Sequence, residues 1–212
     1  MAKKKEEIIE LKTIVPQRAT ITIVGDSDLI CNQMNKPTRE SLINARKDKA
    51  KDISEEDRTW EKIITSVHWL GGDPEEFTQE TFKEKLENDH PCITCFGLKA
   101  SFRQSVVRNK ISTYSTEFDA SVSVFGKGDG LVPFNFTEHH VDEKLMSPKR
   151  GAPVLIYLNR FSGWSAEFDI SYLETTYSLE QIINVINLAG FGIGIGSGRT
   201  SGYGRYHVAG IK

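Results

Sequence analysis

From Trp164 to Tyr172 the chain strictly alternates Trp, Ala, Phe, Ile and Tyr with Ser, Glu, Asp and Ser. A period of two over nine residues specifies a strand with one buried face, because successive side chains leave a pleated backbone on opposite sides. A helix follows under equally clear rules. Ser178 and Gln181 form a capping box, Ile182, Ile183, Val185 and Ile186 supply an apolar stripe, and Gly190 is the predicted C-terminal cap. A glycine-rich run then leads to a closing strand at about 204–211. The stretch "RGAPVLIYLNRF" (150–161) adds a further strand ahead of the alternating one.

The N-terminal half supplies matching pieces. "ATITIVG" (Ala19 to Gly25) alternates Ile with Thr as a half-buried strand. "PCITC" (91–95) reads as a buried strand that passes into a helix running from about Gly97 to residue 108. Strand, helix, two strands, helix and strand make an α+β fold, an RRM-like or ferredoxin-like antiparallel sheet with helices on one face. At 212 residues this is one domain over 1–212. Within it, 38–90 reads as a mostly helical insertion of dense mixed charge, with Asp73-Pro74 opening a short helix after the Gly71-Gly72 turn. Residues 1–17 form a charged lead with a weak helical pattern. The stretch 113–136 reads as extended chain around a turn at Gly126 to Gly130, and "TEHHVDEK" (137–144) as an exposed polar loop.

Composition narrows the function classes. A net charge of -2 excludes a uniformly basic surface, so a polyanion would have to be met by a local patch. Three cysteines, Cys31, Cys92 and Cys95, are too few and uneven for a disulfide framework, which favours a reducing compartment. No signal-like apolar segment opens the chain and no run approaches a membrane span. The expected location is cytoplasmic, within the cell of a bacterial host if the chain is viral.

Seven of the 17 glycines fall between Gly190 and Gly204, beside Arg199, Arg205, Tyr203 and Tyr206. A nucleotide-phosphate loop needs a strand before it and a helix after it. Here the loop follows a helix and precedes a strand, and it lacks Gly-Lys-Ser/Thr. Two readings remain: glycines that let chain segments approach closely, or bare backbone and guanidinium groups set to meet a sugar-phosphate chain. Three acid-free segments favour the second. In 99–110, Lys99, Arg103 and Lys110 fall within about 40° on a helix; 144–160 holds Lys149, Arg150 and Arg160; and 196–212 holds Arg199 and Arg205.

A capped helix, then G-x-G-R-x-S-G-x-G-R, then a closing strand resembles the glycine-rich loop near the C-terminus of the RAMP superfamily, the RNA-binding subunits of CRISPR complexes. The resemblance implies an RRM-like fold. It also implies an RNA backbone held by the basic helix (Lys99, Arg103) and the loop (Gly196, Gly198, Arg199, Gly202, Arg205), and a hairpin near Gly126 to Gly130 as a wedge between bases. "GIGIGSG" is longer than the usual loop. The segment from Gly163 to Val208 also resembles a family of bacteriophage proteins in which a Trp-Ser-Ala strand precedes "INLAGFGIGIG", with weaker likeness at "CFGLKASFRQSVV" and "TITIVGDSDLI".

The expected function is therefore non-enzymatic binding of single-stranded nucleic acid, RNA or DNA, as a homo-oligomer or in assembly with related subunits, and without cofactor, metal or membrane. The first alternative is an endoribonuclease using His139, His140 or His207, with Tyr203 as a possible partner. It would be favoured if a histidine stood beside the glycine loop. The second is a viral structural or protein-binding protein whose glycines serve packing alone. His90, Cys92 and Cys95 hint at zinc but lack the paired fourth ligand. Asp26 and Asp28 read as a turn.

Overall fold

The computed structural model describes residues 14–34, 36–43, 55–146 and 153–212. In chain order the elements are β1 (Gln17–Gly25), β2 (Leu29–Cys31), α1 (Lys36–Ile43), α2 (Glu55–Thr65), β3 (His68–Trp69), α3 (Gln79–Asn88), β4 (Pro91–Thr94) and α4 (Cys95–Arg108). They continue with α5 (Thr116–Ser121), β5 (Val122–Phe125), β6 (Leu131–Asn135), β7 (Glu138–Met146), β8 (Val154–Ser162), β9 (Ser165–Tyr172), α6 (Leu179–Gly192) and β10 (Tyr206–Ile211). No helix among the described residues is long and apolar enough to cross a membrane.

The main sheet runs β10-β1-β9-β6-β4-β3, with β5 paired alongside β9. Reduced to β1, α4, β5 with β6, β9, α6 and β10, this is a β-α-β-β-α-β unit in spatial order fourth, first, third, second, with every pairing antiparallel. The fold is thus the RRM-like α+β sheet expected from the sequence. The alternation in β1 and β9 sorts their faces. Ala19, Ile21, Ile23, Ala166, Phe168 and Ile170 are buried beneath the helices, while Arg18, Glu167 and Asp169 are exposed on the other side. That other face is polar, with Thr20 donating to Asp169 at 2.6 Å and Lys212 paired to Glu167 at 2.6 Å. An RRM stacks bases on sheet aromatics; on this face β1 and β9 carry none, while the exposed Phe125 of β5 stands opposite Asp169.

Strand two of the unit is interrupted. β5 meets β9 with Phe125 opposite Asp169, whereas β6 resumes with Phe134 opposite Ala166. The residues between make a small turn in which Lys127 and Leu131 exchange backbone hydrogen bonds. This is the turn expected at Gly126 to Gly130.

A second sheet, β2-β8-β7, stands beside the first. Its long hairpin corrects the reading of "TEHHVDEK" as a loop: β7 pairs with β8 from Glu138↔Ser162 to Met146↔Val154. The polar letters misled because only one face of this strand is covered. His139 stands 4.7 Å from the Phe161 ring and 5.2 Å from Phe82, while His140 and Asp142 lie on the opposite side. Asn159, fully buried on β8, donates to Ile63 O (2.9 Å) and Ser66 Oγ (2.8 Å), which ties the hairpin to α2.

Three local readings also change. The stretch 113–136 contains helix α5, which places Phe118 in the core against Tyr177. Asp73-Pro74 does not open a helix; α3 begins at Gln79, where Thr78 Oγ1 accepts from the Thr81 amide at 3.1 Å. Gly190 lies inside α6, which continues to Gly192. A Cβ at Gly190 would collide with the carbonyl of Tyr206, so this glycine is a packing requirement of the helix against β10. The weak helical pattern expected for the charged lead falls mainly on residues 1–13, outside the described residues.

Candidate nucleic-acid interface

The glycine run folds as a compact loop clamped at both ends by the turn between β1 and β2. The Ser27 hydroxyl donates to Gly202 O (2.8 Å) and accepts from the Arg205 amide (2.9 Å). Asp26 N–H donates to Arg205 O, Gly204 N–H to Asp28 O, and Ser197 N–H to Ile30 O, each at 2.8 Å. Asp26 to Asp28 is the turn expected from sequence, and it also serves as the loop's anchor. Trp164, fully buried, supports it by donating its indole N–H to Ser27 O at 2.8 Å.

Close approach explains most of the glycines. At Gly196, with φ of 73°, a Cβ would sit 2.6 Å from Ile30 O; at Gly204 it would collide with Ile195 O. Gly198 would press on the Tyr203 ring at 2.9 Å. Gly202 faces open space, though its φ of 88° suits glycine. Gly192 alone in the run has neither obstruction nor a positive φ.

The basic residues divide by partner. Lys99 and Arg103 do share a face of α4, but both turn to Asp119 of α5. The Arg103 Nε lies 2.7 Å from its carboxylate, and Lys99 Nζ donates to its backbone oxygen at 3.0 Å. Lys110 falls beyond the end of α4 with φ of 56°, so it does not continue the stripe as a helical position. Arg160 lies between Asp28 (3.6 Å) and Asp142 (3.4 Å). Arg205 donates through Nη2 to Arg199 O at 3.2 Å, bracing the one-turn 3-10 helix Arg199–Ser201. Lys149 and Arg150 lie outside the described residues. Arg199 differs from Lys99, Arg103, Arg160 and Arg205: no acceptor among the described residues is paired with its guanidinium.

Arg199 lines a groove of about 340 Å3 between the glycine loop, the end of β2 and the first turns of α4. Ile30, Asn32, Phe96, Leu98 and Ser197 share that lining, and among the described residues that form it there is no Asp or Glu. A second groove, about 750 Å3, lies on the other side of the loop against the β7–β8 hairpin; it holds Asp142, Glu143 and Lys144 and is mixed in charge. Ile30, Asn32 and Ser197 border both. Sequence reasoning missed Asn32 and Phe96. Asn32 carries no sequence signal, and Phe96 stands in "CFG" like an ordinary core residue.

The histidines separate clearly. His139 is half-buried against the core: Asn159 spends its amide N–H groups elsewhere, so its Oδ1 accepts from His139 Nε2 at 2.9 Å, and burial lowers the imidazole's pKa. His140 lies 3.6 Å from Glu138. His207, just past the loop, pairs its Nδ1 with Asp26 at 2.6 Å and is half exposed. Cys92 is buried in β4, and desolvation pushes its thiol up to about 12; Cys31 is raised to about 12 by burial and by Cys92. No group of three or more potential metal ligands occurs among the described residues.

No family model matches the chain, and no curated protein matches it. Among solved structures, the chain is similar to one described as "Cryo-EM structure of the Type III-B Cmr-beta bound to cognate target RNA", at 11% identity and a TM-score of 0.48, over 92% of this chain and 59% of that one. It is also similar to "Crystal structure of Cmr6 from Pyrococcus furiosus", at 14% identity and a TM-score of 0.33, over 92% and 100% of the two chains. The chain thus spans less than two thirds of the first of these neighbours.

Proposed function

We propose that this chain binds single-stranded nucleic acid without cleaving it, in the groove between the glycine loop and α4, and that it does so as a repeating or mixed assembly of RRM-like subunits. One observation carries the reading: Arg199 presents an unpaired guanidinium in a groove whose described lining has no carboxylate, on a chain of net charge -2. Anions are drawn to such local cationic recesses, and Arg is suited to phosphate by its planar fork of donors. The sequence resemblance of the loop to RNA-binding RAMP subunits supports the same assignment. In this reading Arg199 contacts the strand, Arg205 positions it, and Lys99, Arg103, Lys110, Lys149, Arg150 and Arg160 add longer-range attraction. Gly196, Gly198 and Gly202 keep the loop backbone thin enough for the strand to approach.

Fluorescence anisotropy with labelled single-stranded RNA and DNA oligonucleotides tests it. Arg199→Ala should weaken binding and reduce the slope of log affinity against log salt by about 0.7, the value for one lost phosphate contact on a single strand, while circular dichroism and melting stay unchanged. Equal binding by the wild type and Arg199→Ala at every salt concentration would reject the site.

A second reading rests on His207. Its imidazole is oriented by the Asp26 carboxylate beside the loop, an arrangement able to accept a proton from a ribose hydroxyl. Incubating labelled RNA with the protein in chelator separates the two. Intact RNA over hours supports binding alone, whereas cleavage abolished by His207→Ala would make the chain a ribonuclease.

A further inference from the structure

The groove has an aromatic wall that phosphate binding leaves without a purpose. Phe96, in the first turn of α4, is 78% exposed, although a side chain of its size stabilises the fold only when covered. It makes no ring contact among the described residues, and it lines the same groove as Arg199. Across that groove, at the junction with the second one, stands Asn32. Its neighbour Gln33 is consumed by structure, donating through Nε2 to Thr65 O and Val67 O, both at 2.9 Å. The Asn32 carboxamide makes no hydrogen bond among the described residues and is exposed. A cation, an open aromatic face and a free amide thus surround one recess of about 340 Å3, within the range of small-ligand sites.

Resting on the nucleic-acid reading above, we propose that this recess takes one base turned out of the strand. The base stacks on the Phe96 ring, the adjoining phosphate meets Arg199, and the Asn32 carboxamide reads the base edge. Single-strand recognition commonly combines stacking on an aromatic with hydrogen bonds to an exposed edge. A carboxamide offers a donor and an acceptor side by side, which matches the N6 and N7 edge of adenine, whereas guanine presents two acceptors on that edge and each pyrimidine a single polar group, so a recess reading that edge selects adenine. The protein then prefers A-containing strands while holding the rest of the strand without regard to sequence.

The test compares single-stranded oligo(A), oligo(U) and oligo(C) of equal length by anisotropy at one salt concentration. The wild type should bind oligo(A) several-fold more tightly. Phe96→Ala should weaken all three by about tenfold, within the range for one lost stacked base, and Phe96→Trp should retain binding. Asn32→Ala should erase the preference for oligo(A) while leaving oligo(U) affinity within twofold. Phe191→Ala, on an 84% exposed ring that does not line the groove, is the control and should change nothing. If strands bind and Arg199→Ala weakens them while Phe96→Ala does not, the base recess is wrong and the phosphate site stands. If the wild type binds none of the three, both proposals fall together. Equal affinity for the three oligomers overturns the assignment of Asn32 to adenine.

Discussion

At the residue scale, the contrast between Arg199 and its neighbours shows why a basic residue in the sequence is a poor guide to a binding cation. Lys99, Arg103 and Arg160 all sit in acid-free segments, yet each meets a carboxylate brought from elsewhere in the chain, Lys99 at 3.9 Å from that of Asp119. The histidines carry a similar lesson with a consequence for pH. Burial lowers the pKa of both His139 and His68, the latter against the effect of Asp73. Their unfolded value is near 6.5. A base whose folded pKa is depressed binds its proton more readily when unfolded, so its contribution is complete above that value and is lost as pH falls toward the folded pKa. Melting temperature should therefore decline as pH drops below about 6.5, before carboxylates titrate. His139→Phe should flatten part of that decline. A pH profile with the same slope in wild type and variant between about 6.5 and 5 would show that His139 does not carry it.

At the element scale, α6 contains two glycines with opposite roles only two residues apart. A methyl at Gly190 would strike the Tyr206 carbonyl, whereas one at Gly192 would meet nothing within 4 Å. Gly190→Ala should destabilise the protein by about 1–3 kcal/mol or more, because helix and strand must separate to admit it. Gly192→Ala should be neutral or stabilising by up to about 1 kcal/mol through helix propensity. Chemical denaturation of the two variants measures both, and equal midpoints would refute the packing account. The same comparison explains why glycine spacing alone could not divide packing from binding. The letters are identical, and only the atoms opposite each Cα tell them apart.

At the scale of the whole molecule, we treat 38–90 as an insertion in the RRM-like unit. Its described part comprises α2 and α3, most of α1 and the short strand β3, and it docks on the hairpin through Asn159, Ser66 and the contact of His139 with Phe82. Between Asn44 and Ser54 the sequence offers Arg46, Lys47, Lys49 and Lys51 to trypsin. Brief digestion should cut there first. The fragments should still elute together on gel filtration, since β1 pairs with β9 and β10, and β2 with β8, across the cut. First cleavage within 160–190 would contradict this division.

The sequence by itself determined the local periods and hence the unit they build. The alternation of Ser165 to Tyr172, the Ser178–Gln181 box, and the strands at each end required a βαββαβ sheet, because each signal is written in residues close together in the chain. The hairpin strand β7 stayed illegible, since polar His139 is drawn against the core only through Asn159, twenty positions away. The candidate site was half legible for the same reason. The loop and Arg199 could be read, but Asp119, Asp28 and Asp142 are distant acids that neutralise other cations, and Asn32 and Phe96 meet Arg199 only where β2, α4 and the loop converge. Which charge remains unpaired depends on every carboxylate that folding carries within reach, and that is a property of the tertiary structure alone.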